Sequence, residues 1–259
     1  MNPYFVEWKF NPENFFEYSF SENYEGICLN FEMGTIEGCL GCIEYETAEI
    51  LLQKLHLHVE RIFQSTQILS HSPYNFRCRM IFQKNPDGTR KIPVSVSIGT
   101  ANSGESSTSL FSIESNISIE RDGQTIWCPK EKRIKLKQEN LILMEKHARD
   151  PILQRLLRSY HQAVNDSENE FIYLYEIYDA LLAKFKKERM PKILGLSKED
   201  HCDKFVELTN NKAYSQGRHR GQLPIDKIES APQSQLNQAR EIAQTLIISY
   251  LKYLDKISN

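Results

Sequence analysis

The chain has 259 residues, of which 40% are hydrophobic and 25% charged, and its formal net charge is −2. This length suffices for one large or two ordinary domains with a sizeable core. The small net charge excludes a wholly basic protein that coats nucleic acid, although a local basic patch is compatible with it. The six cysteines are scattered, and neither a signal peptide nor a long apolar run is evident. We therefore expect a cytoplasmic protein that does not enter a membrane.

The first half of the chain predicts an α+β domain over residues 1–130, which we expect to serve sensing or partner binding. Its predicted elements are strands at 27–31 and 39–43, a helix at about 47–65, a hairpin over 74–98 and a strand over 110–120. The helix is indicated by apolar residues at intervals of three and four, and the hairpin by the turn signal Asn85-Pro86-Asp87-Gly88. A Ser-, Thr- and Gly-rich loop at 100–109 precedes the last strand.

From about residue 131 the pattern becomes helical and predicts an all-α bundle over 131–259. The predicted helices cover 136–147, a segment that begins at Asp150-Pro151, 168–188, 197–208 and 231–257. Asp150 is the expected N-cap, with proline at the first helical position. The fold class is therefore α+β, with a mixed β domain that contains one helix followed by a helical domain.

A polar stretch at 210–221 separates the last two predicted helices. It places Arg218, His219 and Arg220 between Gly217 and Gly221. Elsewhere we find no comparable combination of a group that titrates near neutral pH with fixed positive charge. This stretch is therefore the first place to expect a functional site.

Three other patterns favour structural interpretations. Cys39 and Cys42 have the spacing of half a zinc site, but no second pair accompanies them, so we interpret them as strand cysteines packed in a core. His56 and His58 lie about 200° apart on a predicted helix and do not converge on one ion. Tyr175 falls on the apolar face of its predicted helix, which favours core packing over base stacking.

The helical segments over residues 135–257 resemble a HEPN domain, a bundle of four or five helices. The resemblance rests on the helices at 168–188 and 197–208, the polar stretch that ends in Gly217-Arg218-His219-Arg220-Gly221, and the long terminal helix. It implies a metal-independent endoribonuclease that acts as a homodimer in a prokaryotic defence or toxin-type system. The α+β half resembles the modules that precede HEPN domains, which implies a possible protein partner for it.

The HEPN motif is an Arg, usually followed by a polar residue, with a His four to six residues further on. No Arg lies at that distance before His219, but Lys212 precedes it with six residues between and is the candidate replacement. Arg155 and His161 match the motif by count. Because an offset of six residues on a helix directs two side chains apart, we interpret that match as coincidence.

The resemblance implies roles for five residues. His219 would remove the proton of an RNA 2′-hydroxyl, Arg218 and Lys212 would neutralise the reacting phosphate, and Arg220 and Asn211 would bind RNA. This chemistry requires no metal ion or other cofactor, and we expect none.

The alternative function is a non-catalytic binding or dimerisation module that docks a protein or nucleic acid, with Arg218 and Arg220 holding a phosphate or an acidic surface. A purely structural interpretation is also open, in which the two arginines cap helix carboxyl ends or pair with helix carboxylates. The terminal helix supports dimerisation, because its apolar stripe is wider than one bundle seam needs. The residues that widen it are Ile247, Ile248, Leu251 and Leu254.

Overall fold

The computed structural model describes residues 2–85, 87–91, 119–121, 124–127, 129–211, 214–222 and 228–258. Internal contacts divide the chain into two compact units. The first contains the described residues of 1–63 and 72–108, and the second those of 64–71 and 109–259. The predicted loop at 100–109 and most of the predicted strand at 110–120 lie outside the described residues. Within the described ranges, no helix is both long enough and apolar enough to cross a membrane.

The first unit is an antiparallel sheet with one helix. Its elements are β1 (Tyr4–Asn11), β2 (Phe20–Tyr24), β3 (Ile27–Glu32), β4 (Thr35–Gly41), the helix α1 (Tyr45–Ser70), β5 (Asn75–Lys84) and β6 (Arg90–Lys91), and the residues of α1 from 64 onward belong to the second unit. The strands lie in the order β2-β3-β4-β1-β5-β6. The predicted α+β class is thereby confirmed, as are the helix and the start of the hairpin.

Alternation along the central strand β1 builds the core of this unit. Val6, Trp8 and Phe10 are buried, because every second side chain of a strand points to the same face. The Trp8 indole Nε1 donates a hydrogen bond to His56 Nδ1 of α1 at 3.2 Å. The ring of Phe10 packs edge-on against Phe63 of α1, with 5.4 Å between the ring centroids. The helix therefore covers this face of the sheet.

The strand predicted at 39–43 begins and ends earlier, as β4. Its buried residues are Ile36, Gly38 and Leu40, so the side chain of Cys39 points to the opposite face. Both Cys39 and Cys42 are exposed. The interpretation of these cysteines as core residues is therefore wrong, because Cys39 alternates with the buried Gly38 and Leu40 and Cys42 lies beyond the end of the strand.

The second unit consists mainly of helices. They are α2 (Pro129–Lys146), α3 (Pro151–Asn165), α4 (Glu170–Phe185), α5 (Met190–Leu194), α6 (Lys204–Val206) and α7 (Gln233–Ser258), after a two-stranded hairpin of β7 (Ile119–Arg121) and β8 (Gln124–Trp127). The carboxylate of Asp150 accepts a hydrogen bond from the Leu153 amide at 2.8 Å, as its predicted N-cap role requires. The helix predicted at 197–208 is wider than an α-helix at both ends. Its π-helical turns are Lys198–Asp203 and Glu207–Asn211.

The apolar faces of α3, α4 and α7 form one core. The α7 residues Ile247, Leu251 and Leu254 are buried in it, and Ile248 packs against its edge. The wide apolar face of α7 therefore packs against several helices of its own unit. Those buried side chains do not offer a surface to a second copy of the chain.

A buried polar network crosses this core. The Arg240 guanidinium donates two hydrogen bonds to the Glu170 carboxylate, at 2.6 and 2.7 Å. The other neighbour of Glu170 is His71, whose Nε2 lies 3.4 Å from Oε1. His71 Nδ1 lies 3.1 Å from the Tyr160 hydroxyl, which also accepts a hydrogen bond from Gln244 at 3.1 Å.

The network keeps Glu170 ionised although it is buried. Burial by itself raises the pKa of this carboxyl, but hydrogen bonds from Arg240 and His71 outweigh that effect and hold the pKa below its usual value. Burial lowers the pKa of His71, so the imidazole is neutral at pH 7. With its acidic and phenolic groups enclosed, this network stabilises the bundle and does not present groups to a substrate.

Candidate functional site

The residues that precede the basic turn, 217–221, are hydrogen-bonded to residues that follow it in the chain. The amide of Ser215 donates to the carbonyl of Glu229 at 3.0 Å, and the amide of Ala231 donates to the Gln216 side chain at 3.0 Å. The Tyr214 hydroxyl donates to Gln235 of α7 at 2.9 Å. These bonds fix where the turn begins and tie it to the start of α7.

Arg220 hydrogen-bonds backbone groups of the loop before α4 and of the residues that precede the basic turn. Its Nη1 donates to the backbone carbonyls of Glu168 and Ser215, both at 3.1 Å. Glu168 precedes α4, so this arginine connects the turn to the loop between α3 and α4. Because its Nη1 already donates to two carbonyls, this guanidinium has less capacity for phosphate, and we interpret Arg220 as a residue that positions the turn.

Arg218 points to the surface of α4 beside an aromatic ring. Its guanidinium carbon lies 5.3 Å from the ring centroid of Tyr175, and Nη1 lies 3.7 Å from Asp179 Oδ2. The side chains of Arg218 and Asp179 are 49% and 45% exposed. An exposed ion pair at this distance contributes little free energy, so a phosphate can replace the carboxylate as the partner of Arg218.

Of the predicted site residues, Arg218, His219 and Arg220 share the basic turn. His219 follows Arg218 in the basic turn and is half-buried. Asn211 is the last residue of the second π-helical turn. Lys212 lies outside the described residues.

A cleft lies along α3. It has a volume of about 310 Å³ and is lined by Pro151, Gln154, Arg155, Arg158, Ser159, Gln162 and Glu176. Arg155 and Arg158 are both exposed on one side of α3. Across the cleft, the Ser159 hydroxyl donates to the Glu176 carboxylate of α4 at 3.0 Å.

Asp179 connects the cleft to the basic turn electrostatically. Burial raises the pKa of its carboxyl, and the positive charges of Arg218 and Arg155 offset part of that rise. Both arginines therefore act on the same carboxylate, one from the turn and one from α3. We call Tyr175, Asp179, Arg155 and Arg218 the arginine–tyrosine surface.

Sequence reasoning missed two members of this surface. Tyr175 is half-buried rather than a full core residue, because it lies at the margin of the α4 stripe, while Tyr178 is the buried one. Arg155 appeared only as half of a coincidental motif. His161 does point away from it, since its ring contacts Gln67 at 3.1 Å on another side of α3. The pairing of Arg218 with Asp179 left no local signal in the sequence.

This arrangement can bind an anionic, partly aromatic ligand. Arginine pairs with phosphate, and an adjacent tyrosine ring can stack on a base. Among the described residues, no group of three or more His, Cys, Asp and Glu side chains is placed to hold a metal ion.

Comparison with known proteins adds no assignment. No protein-family model matches the chain, and no curated protein or solved structure matches it.

Proposed function

We propose that the second unit is a HEPN-like domain that binds single-stranded RNA through the arginine–tyrosine surface. The observation that carries this proposal is the half-exposed guanidinium of Arg218, which lies 5.3 Å from the Tyr175 ring centroid. Single-stranded RNA is recognised by such pairs, in which the cation binds a phosphate and the ring stacks on the adjacent base.

The hydrogen bonds that anchor the basic turn support the same function. Because Arg220 and the bonds to α7 fix the backbone, Arg218 is presented without a large ordering cost on binding. Arg155 and Arg158 on α3 supply further positive charge for neighbouring phosphates. The carboxylates Glu176 and Asp179 reduce that charge, so we expect moderate affinity with a marked salt dependence.

The binding test is fluorescence anisotropy with a labelled single-stranded RNA in EDTA. We expect Arg218→Gln to weaken binding about tenfold and to lower the salt slope by about one. Tyr175→Leu should weaken binding by about 1–3 kcal/mol with an unchanged salt slope, because stacking releases no counterions. Arg189→Gln, at an exposed arginine that precedes α5, is the matched control. Equal affinities for Arg218→Gln and Arg189→Gln would reject the surface.

Metal-independent RNA cleavage is a second candidate, favoured by the position of His219 directly after Arg218 in the turn. The imidazole would accept the proton of a 2′-hydroxyl while Arg218 neutralises the phosphate. Purified protein should then shorten RNA in EDTA, and His219→Ala should lower the rate on the order of a hundredfold. Cleavage that persists in the variant would assign the activity to a contaminant or another residue.

The resemblance to HEPN proteins also implies a homodimer, and we propose one on that ground alone. In it, the basic turns of two chains would face one cleft. Light scattering of the full chain at micromolar concentration measures the mass directly. A monomeric mass in the presence and absence of RNA would refute the dimer and leave the binding proposal standing.

A further inference from the structure

Two exposed cysteines lie on neighbouring strands of the first unit. Strands β3 and β4 pair in register up to Leu29 and Gly38, and Cys28 and Cys39 are the next residue on each strand. The two strands are close at this step, since a Cβ added to Gly38 would lie 3.8 Å from the backbone carbonyl oxygen of Cys28. Continuing the same register by one residue places Cys28 opposite Cys39.

The two thiols share the solvent face of the sheet. Leu29 and Gly38 are buried on the face that α1 covers, so the adjacent Cys28 and Cys39 point the other way. Both cysteines are exposed. Their backbones are held from the outer sides as well, because Cys28 pairs with Asn23 of β2 and Cys39 with Phe5 of β1.

We propose that Cys28 and Cys39 form a reversible intramolecular disulfide when the protein meets a hydroperoxide. Opposed residues of antiparallel strands have Cα atoms about 4.5–5.5 Å apart, within the roughly 4.4–6.8 Å that a disulfide spans. The Cys28 sulfur now donates to Asn30 Oδ1 at 3.6 Å, so formation of the disulfide requires that this hydrogen bond break and the Cys28 side chain rotate.

The reaction proceeds in two steps. One thiolate attacks a peroxide oxygen, which forms a sulfenic acid and releases hydroxide. The second thiol attacks the sulfenic sulfur, the disulfide forms, and water leaves. In sum, two thiols and one hydrogen peroxide give one disulfide and two waters. Cellular thiols reverse the reaction by exchange, as they do for exposed disulfides.

Two of the other described cysteines, Cys78 and Cys202, are suited to act as internal controls. Burial raises the pKa of the Cys78 thiol to about 11 and that of Cys202 above its usual value, which makes both poor nucleophiles. Cys42 is exposed and lies three residues after Cys39, beyond Gly41. It is the competing partner that an experiment must distinguish.

The test is peroxide treatment of the reduced full-length chain, followed by alkylation, digestion without reductant and mass spectrometry. Wild type and Cys42→Ser should both yield a peptide pair linked through Cys28 and Cys39, and Cys28→Ser should not. The linked protein should unfold at a higher urea concentration, and reductant should abolish that shift.

A dominant link between Cys39 and Cys42 would overturn the proposal. So would conversion of Cys28 and Cys39 to sulfinic or sulfonic acids without any intramolecular link. Because both side chains are exposed, the serine variants should keep the circular dichroism spectrum of the wild type.

Discussion

Replacing Arg240 with Met should strongly destabilise the helical unit, because it leaves the Glu170 charge buried without its main partner. The Glu170 side chain is 2% exposed and the Arg240 side chain 21%. Each of the two lost bonds, at 2.6 and 2.7 Å, joins charged groups. At roughly 1.5–3 kcal/mol each, they predict a loss of about 3–6 kcal/mol, a range that includes the roughly 3–5 kcal/mol observed when one member of a buried ion pair is removed.

Urea unfolding at neutral pH, followed by far-ultraviolet circular dichroism, measures this free energy. In a thermal scan the same loss corresponds to a decrease in Tm on the order of 10 °C. Lys135→Met is the control, since Lys135 lies 4.0 Å from Glu139 in an exposed pair that should contribute less than about 0.5 kcal/mol. The double variant Glu170→Leu, Arg240→Met should recover most of the loss, because it buries no unpaired charge. Equal stabilities of Arg240→Met and Lys135→Met would refute this reasoning.

Three further predictions concern charge. Asp179→Asn should raise RNA affinity severalfold in anisotropy titrations, because it removes the carboxylate that competes for Arg218; unchanged affinity would contradict displacement of Asp179 by phosphate. Burial holds the pKa of His71 in the folded state below its ordinary 6.5, so protonation of this imidazole favours the unfolded chain. The stability that neutral His71 contributes is therefore complete above that pH and is lost as the pH falls. His71→Gln should therefore flatten the decline in urea midpoint between about pH 7 and 5, although His56 and His161, whose pKa values burial also lowers, should keep part of it. Asp150→Ala should cost about 1–3 kcal/mol of unfolding free energy, because the cap of α3 and the acceptor for the Tyr250 hydroxyl are lost together; a cost near zero would contradict both roles.

The long helices α3, α4 and α7 could be predicted because their signals are local, whereas no such signal predicted the five-residue helix α5. The stripes of α4 and α7 recur at helical intervals, and Asp150 with Pro151 marks a helix start within two residues. Strand β1 also carried a signal, the alternation of Val6, Trp8 and Phe10, which was overlooked among many aromatic residues. The register of β4 depended on its partners, which periodicity alone does not specify.

The candidate site was only partly predictable for a related reason. The basic turn stands out in the sequence because Arg218, His219 and Arg220 are adjacent. Which arginine is free to bind a ligand depends on tertiary neighbours. Arg220 meets the carbonyl of Glu168, which is 52 residues away in the chain, whereas Arg218 meets Asp179. Such long-range pairings leave no pattern in a single sequence.

The most direct test of RNA binding by this surface is photo-crosslinking with an RNA that contains thiouridine, followed by peptide mapping of the full-length protein. The proposed function predicts crosslinks on the peptide that contains Tyr175 or on residues 214–222, and their loss in Arg218→Gln. Crosslinks confined to the first unit, or the same pattern in wild type and Arg218→Gln, would contradict it.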